Sequence, residues 1–131
     1  MMKILFPAQT GFATPFAPAD SARAASGADT MVSPVLEMVS FRLEQGATDT
    51  AFLAAAKATE APLRCQPGFL RRSLVGAPDG TWTDLVEWTD MGAAQAGAQA
   101  MMAEPAFQPF MALIDMGSVS MGHPVIRWRM D

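Results

Sequence analysis

At 131 residues the chain is one domain long, and half of it is hydrophobic, so it can bury a core and global disorder is excluded. Nine Lys and Arg against 13 Asp and Glu leave a net charge of −4, which argues against a nucleic-acid surface, since that needs clustered cations to neutralise phosphates. A single cysteine excludes an intrachain disulfide and a cysteine-rich metal site, and no apolar run reaches the roughly 18 residues of a membrane helix.

Residues 1–32 read as an extended arm. Pro7, Gly11, Pro15, Pro18 and Gly27 punctuate it, and a Ser/Ala/Asp-rich tract fills Ala19 to Thr30. Lys3 before Ile4-Leu5-Phe6, with Ala22-Arg23-Ala24 further on, has the outline of a secretory leader. Pro7, Gln9, Thr10 and Gly11 interrupt the apolar stretch such a leader requires, so a cytoplasmic location is expected. Met31 is an alternative start, and the folded domain is read as 33–131.

From Val35 the pattern becomes regular. Val35 to Leu43 is a strand closed by Glu44-Gln45-Gly46. Thr48 or Asp49 can cap a helix whose stripe is Phe52, Ala56, Thr59 and Leu63. Pro62 is expected to kink its last turn, and Pro67-Gly68 to end it. Phe69 to Val75 is a second strand, Ala77-Pro78-Asp79-Gly80 a hairpin turn, and Thr81 to Trp88 the returning strand. Asp90 caps a second helix with Ala94, Ala98 and Met101 or Met102 on its apolar side. Pro105 breaks it, and Phe107, Phe110 and Ile114 suggest a short further helix. Asp115 to His123 is the last strand, and Val125 to Met130, after Pro124, a tail strand. The order is βαββαβ, an α+β domain.

Alternation along the strands puts Val35, Val39, Phe41 and Leu43 on one face and Leu36 and Met38 on the other. In the third strand Trp82, Val86 and Trp88 oppose Leu85. Two helices cover one face only. Burying each large side chain on the other stabilises by roughly 1.5–3 kcal/mol, so a homodimer, sheet against sheet, is expected.

Several stretches together resemble a known group. They are Glu37-Met38-Val39-Ser40-Phe41-Arg42-Leu43 with Gly46, Gln66-Pro67-Gly68-Phe69, Asp84-Leu85-Val86-Glu87-Trp88, and Glu104-Pro105-Ala106-Phe107 with Phe110. Over about residues 33–123 the chain resembles the antibiotic-biosynthesis-monooxygenase-like proteins. The resemblance implies a ferredoxin-like fold with a four-stranded antiparallel sheet, paired into a dimeric α/β barrel. That group holds cofactor-independent oxygenases, haem-degrading enzymes and many proteins of unknown role, so it implies fold more than chemistry. Trp88 matches a Trp that lines the pocket of the haem-degrading branch. The Asn of that branch would fall near Val39 and its His near Phe110 or Met111. Neither polar group is present, so haem degradation is not implied and no cofactor is expected.

The chain has one histidine and no tyrosine. The resemblance sets the last strand antiparallel beside the first, which would bring His123 near Glu37, the one charge on an otherwise apolar face. A carboxylate holding one imidazole nitrogen suits a general base near neutral pH. Asp84 shares a face with three large apolar side chains and is either a ligand-facing acid or the partner of a backbone group or an Arg. Glu87 is expected on the opposite face, paired with Arg71 or Arg72. Carboxylates and the lone His lack metal-ligand spacing, and Gly76 and Gly80 flank a hairpin, not a phosphate loop. The expected function is binding of a small apolar or aromatic molecule between sheet and helices, at Trp88, Asp84, Val39, Phe110 and Met111. The alternative is cofactor-independent monooxygenation of a phenol or quinol, with His123 as base, Glu37 orienting it and Trp88 stacking on the substrate.

Overall fold

A computed structural model describes residues 33–131; the expected arm, its leader-like start and the alternative start at Met31 lie outside the described residues. The elements are β1 (Val35–Leu43), α1 (Asp49–Ala58), α2 (Glu60–Arg64), β2 (Phe69–Gly76), β3 (Trp82–Trp88), α3 (Met91–Met102), α4 (Phe107–Ala112) and β4 (Ile114–Gly122). The sheet order is β2-β3-β1-β4 with every neighbour antiparallel, the expected ferredoxin-like α+β arrangement.

Local chemistry sets the helix ends. The Thr48 hydroxyl accepts from the Ala51 N–H at 3.1 Å and opens α1, and Asp90 Oδ1 accepts from Ala93 N–H at 2.8 Å and opens α3. The expected single kinked helix over Phe52 to Leu63 is instead two, broken at Thr59. Pro62 has no N–H to offer the Ala58 carbonyl, and its ring crowds that carbonyl. Thr59 adds its own local bond, its hydroxyl donating to the Ala56 carbonyl at 2.6 Å. The stripe survives the break: Phe52, Ala56, Thr59 and Leu63 are all buried.

Two glycines fix the connections into β2 and β3. Gly68 has φ +84, which favours glycine, and a Cβ there would fall 2.5 Å from Ala93 Cβ. Gly80, at φ +92, closes the hairpin turn, where Gly80 N–H donates to the Ala77 carbonyl.

β4 carries a bulge. Its ladder with β1 pairs Leu43 with Ile114 and Arg42 with Asp115, then shifts so that Ser40 pairs with Ser120 and Met38 with Gly122. The Ser118 hydroxyl holds the bulge, accepting from Arg42 N–H at 2.8 Å and donating to the Asp115 carbonyl at 2.6 Å. The three extra residues on β4, an odd number, change the parity, so Ile114 and Met116 face the helices before the bulge and Val119 and Met121 after it.

The expected tail strand does not form beyond one bridge, Val35 to Val125. Ile126 N–H donates to the Pro34 carbonyl, but the reciprocal bond is closed because Pro34 has no N–H.

The helices cover one face of the sheet, and the core lies beneath them in two clusters. One is centred on Trp88 with Val35, Leu63, Val86 and Met101; the other on Phe52 with Phe41, Phe110 and Ile114. The other face is more mixed than alternation suggested. Leu36, Met38 and Leu85 are half-buried there, and Ser40, Thr83, Arg71 and Glu87 stand among them. The large apolar side chains most exposed are Trp128 and Met130 of the tail, at 77% and 78%. No described helix is long and apolar enough to cross a membrane.

Candidate functional site

Between the sheet and α3 and α4 lies a cavity of about 80 Å³. Its walls are methionine, aromatic and branched aliphatic side chains, with Glu37, Asp84, Arg72 and Thr59 the polar residues among those lining it. All five positions expected to meet a ligand, Val39, Asp84, Trp88, Phe110 and Met111, are on its wall. The volume is small: it corresponds to two or three waters, against about 150 Å³ for an apolar cavity that admits benzene. Entry of even one aromatic ring therefore requires the wall to move. Its five methionines, Met101, Met102, Met111, Met116 and Met121, are the side chains best able to do so, having three rotatable bonds each.

Glu37 comes to this cavity because β1 alternates. Val35, Glu37, Val39 and Phe41 share the helix-covered face, so the one charged member is carried into the core, 7% exposed. Its Oε1 accepts the Trp88 indole N–H at 3.0 Å. Burial pushes the Glu37 carboxyl up to about 7 from an ordinary 4.5. The Trp88 bond lowers it in part, the charge of Asp84 raises it, and the charge of Arg72 lowers it.

Arg72 compensates Glu37 only in part, because it is committed elsewhere. Its Nε and Nη2 donate to the two Asp84 carboxylate oxygens at 2.9 and 2.8 Å, a bidentate pair, and its Nη1 donates to the Thr59 hydroxyl at 2.7 Å. The guanidinium lies over the Phe110 ring, 5.2 Å from its centroid. Of the fates expected for Asp84, the structure has the Arg-partnered one. Glu87 is on the opposite face as expected and pairs with Arg71 at 3.8 Å and with Arg129. Arg72 takes no part in that pairing, because a bulge between Phe69 and Arg71 turns it to the cavity side.

His123 and Glu37 do come together. The ladder that pairs Met38 with Gly122 sets residue 123 opposite residue 37, and His123 Nε2 is 4.0 Å from Glu37 Oε2, with both residues buried. Burial lowers the His123 pKa, favouring the neutral ring. Their order along the wall is the reverse of that expected: Glu37 lines the cavity, and His123 is not among the lining residues. Trp88 likewise differs from the open stacking platform expected. Its ring is 1% exposed, meets Phe69 edge-on at 6.0 Å, and rests on Gly97 so closely that a methyl there would overlap it.

Arg72, Thr59 and Gly97 were not singled out by sequence. The signals were faint: a pair of arginines in a strand, a threonine on an apolar helical stripe, and a glycine inside a helix, which normally weakens it. The arrangement offers one carboxyl able to give or take a proton near neutral pH inside an apolar cavity, beside an ion pair whose charges cancel.

No protein-family model matches the chain, and no curated protein is found similar to it. Solved structures are. A mutant of SnoaB, a cofactor-independent oxygenase from Streptomyces nogalater, superposes with a TM-score of 0.58 at 23% identity, over 75% of this chain and 97% of that one. A protein assigned as an antibiotic biosynthesis monooxygenase from Bordetella bronchiseptica gives 0.63 at 12% identity, over 73% of this chain and 99% of that one. Rv0793 from Mycobacterium tuberculosis gives 0.58 at 18% identity, over 76% and 100%.

Proposed function

From the fold this chain shares with antibiotic biosynthesis monooxygenase-like proteins, we propose that it binds a small aromatic molecule with an acidic hydroxyl in the cavity between sheet and helices. We propose further that Glu37 removes the hydroxyl proton, starting a cofactor-independent oxygenation. The observation that carries this reading is a carboxyl with no Arg or Lys paired to it among the described residues, on an apolar cavity wall and set near neutrality by burial. Deprotonation turns a phenol into an electron-rich anion, which can pass electrons to dioxygen without metal or flavin. The balance closes with a phenol and one dioxygen giving a quinone and one water. One oxygen atom enters the ring carbon, the other leaves as water, and the substrate supplies the four electrons.

The size of the cavity favours one ring over several, admitted by rotation of its methionines. Oxygen uptake with a panel of phenols and hydroquinones tests the reading. Turnover is expected for the wild type, and about 100-fold less or lower for Glu37→Gln, the usual contribution of a positioned base. Equal rates in the two proteins, or no uptake and no quenching of tryptophan fluorescence with any member of the panel, would refute it.

A homodimer through the uncovered sheet face is also proposed. Half-buried Leu36, Met38 and Leu85 and the exposed Trp128 and Met130 support it, since they are apolar area that a second copy would cover.

A further inference from the structure

We infer that Glu37 and His123 hold one proton between them, on the carboxyl or on the ring, and that His123 is the positioning residue which, by taking that proton, leaves Glu37 ionised and therefore basic in the cavity. The geometry is the ladder pairing and the 4.0 Å between His123 Nε2 and Glu37 Oε2, with both residues buried, where charges interact more strongly than at the surface. The inference rests on the proposed oxygenation only for what the proton is used for.

An ionised Glu37 needs a positive charge nearby. Among the described residues that line the cavity, the other charged side chains are Asp84 from β3 and Arg72 from β2, and these cancel each other in their bidentate pair. The helices offer no titratable group there: α3 presents Gly97, Met101 and Met102, and α4 presents Phe107 and Phe110. The Trp88 indole donates a hydrogen bond but carries no charge. His123 is the group beside Glu37 that can take up a proton. A proton on the carboxyl with a neutral ring, and a proton on the ring with a carboxylate, have the same proton count and differ only in where the charge sits. Burial disfavours each charge taken alone, as the upward shift of Glu37 and the downward shift of His123 record. Formed together as an adjacent pair, the two charges offset one another. When substrate gives its proton to Glu37, the carboxyl becomes neutral and the imidazolium remains to balance the phenolate. Net charge in the cavity region is then unchanged through the transfer.

The chain reports on both partners without ligand. It has a single histidine, so one imidazole Cε1–H resonance follows His123, and the Trp88 indole N–H resonance follows the carboxyl it bonds. In wild type both resonances are expected to show the same two titration steps, the mark of interacting sites. Glu37→Gln should lower the His123 midpoint by about one pH unit or more, and His123→Gln should raise the Trp88 midpoint by a similar amount. Two unrelated single steps in wild type, or midpoints that move by less than about 0.2 pH unit in the variants, overturn the inference. The wild-type titration decides the matter even where a variant fails to fold. Coupled titration with no oxygen uptake would sink the oxygenation and leave the shared proton standing. Uptake with uncoupled titration would do the reverse. Where there is uptake, His123→Gln should move the acid limb of the rate profile to higher pH with KM little changed.

Discussion

Glu37 and His123 impose opposite pH dependences on stability. Glu37 binds its proton more tightly folded than unfolded. Its contribution is therefore fully present below pH 4.5 and is lost as pH rises to about 7, a span worth about 3 kcal/mol at about 1.4 kcal/mol per pH unit. His123 is lowered by burial, so its contribution is present above its ordinary 6.5 and is lost as pH falls through its folded value. In wild type the two slopes oppose one another in the window below pH 6.5 where both apply. Urea unfolding should expose each in turn: His123→Gln should lose stability as pH rises through this window, and Glu37→Gln should gain it. Two flat variants would contradict the assignment. The Arg72–Asp84 pair behaves differently, since removing one partner strands a buried charge. Asp84→Asn should cost about 3–5 kcal/mol in the same assay, and the double change Arg72→Met with Asp84→Leu markedly less. At this scale the sequence was legible where one strand sufficed. Glu37 stood out as a charge on an apolar phase, and His123 followed from the phase of Val119 and Met121. Which of the two reaches the cavity was not legible, because that depends on packing from α3 and α4.

Among the elements, α3 is fixed by what Gly97 lacks. In an exposed helix Gly97→Ala would gain about 1 kcal/mol from propensity. Here the methyl would overlap the Trp88 ring, and overpacking costs roughly 1–3 kcal/mol. The variant is expected to be less stable, with altered near-ultraviolet dichroism from a displaced indole; a more stable protein with an unchanged spectrum would show that the contact is looser than described. Strand faces and caps were readable from alternation and from Thr48 and Asp90, because those signals are local. The two bulges were not. The one in β2 adds one residue and the one in β4 adds three, their placement set by the neighbouring strand, and each odd number reverses the parity on which a face assignment depends. The bulge in β2 is why Arg72 turned out to pair with Asp84 and not Glu87. The break at Thr59 was half legible: Pro62 announced a disturbance, and the carbonyl it crowds lies one turn earlier.

For the whole molecule, the order β2-β3-β1-β4 follows from the element sequence and its hairpin, so the architecture was the most readable level. The uncovered face is less oily than alternation implies, since Ser40, Thr83, Arg71 and Glu87 share it with the apolar side chains. The proposed homodimer therefore has a mixed interface, and sedimentation at micromolar concentration should give twice the chain mass. Leu85→Lys, in the middle of that face, is expected to shift the mass to one chain without unfolding it. A wild type that sediments as one chain would remove the proposal. The bare patch on α3 has a mechanical outcome at this scale. It works as a keyway: rolled by one residue, about 100°, the helix would offer Ala96 or Ala98 to the indole and could not seat. The roof of the chamber is thus locked against rotation, and any widening for an incoming ring must come from supple side chains, not from a turning helix.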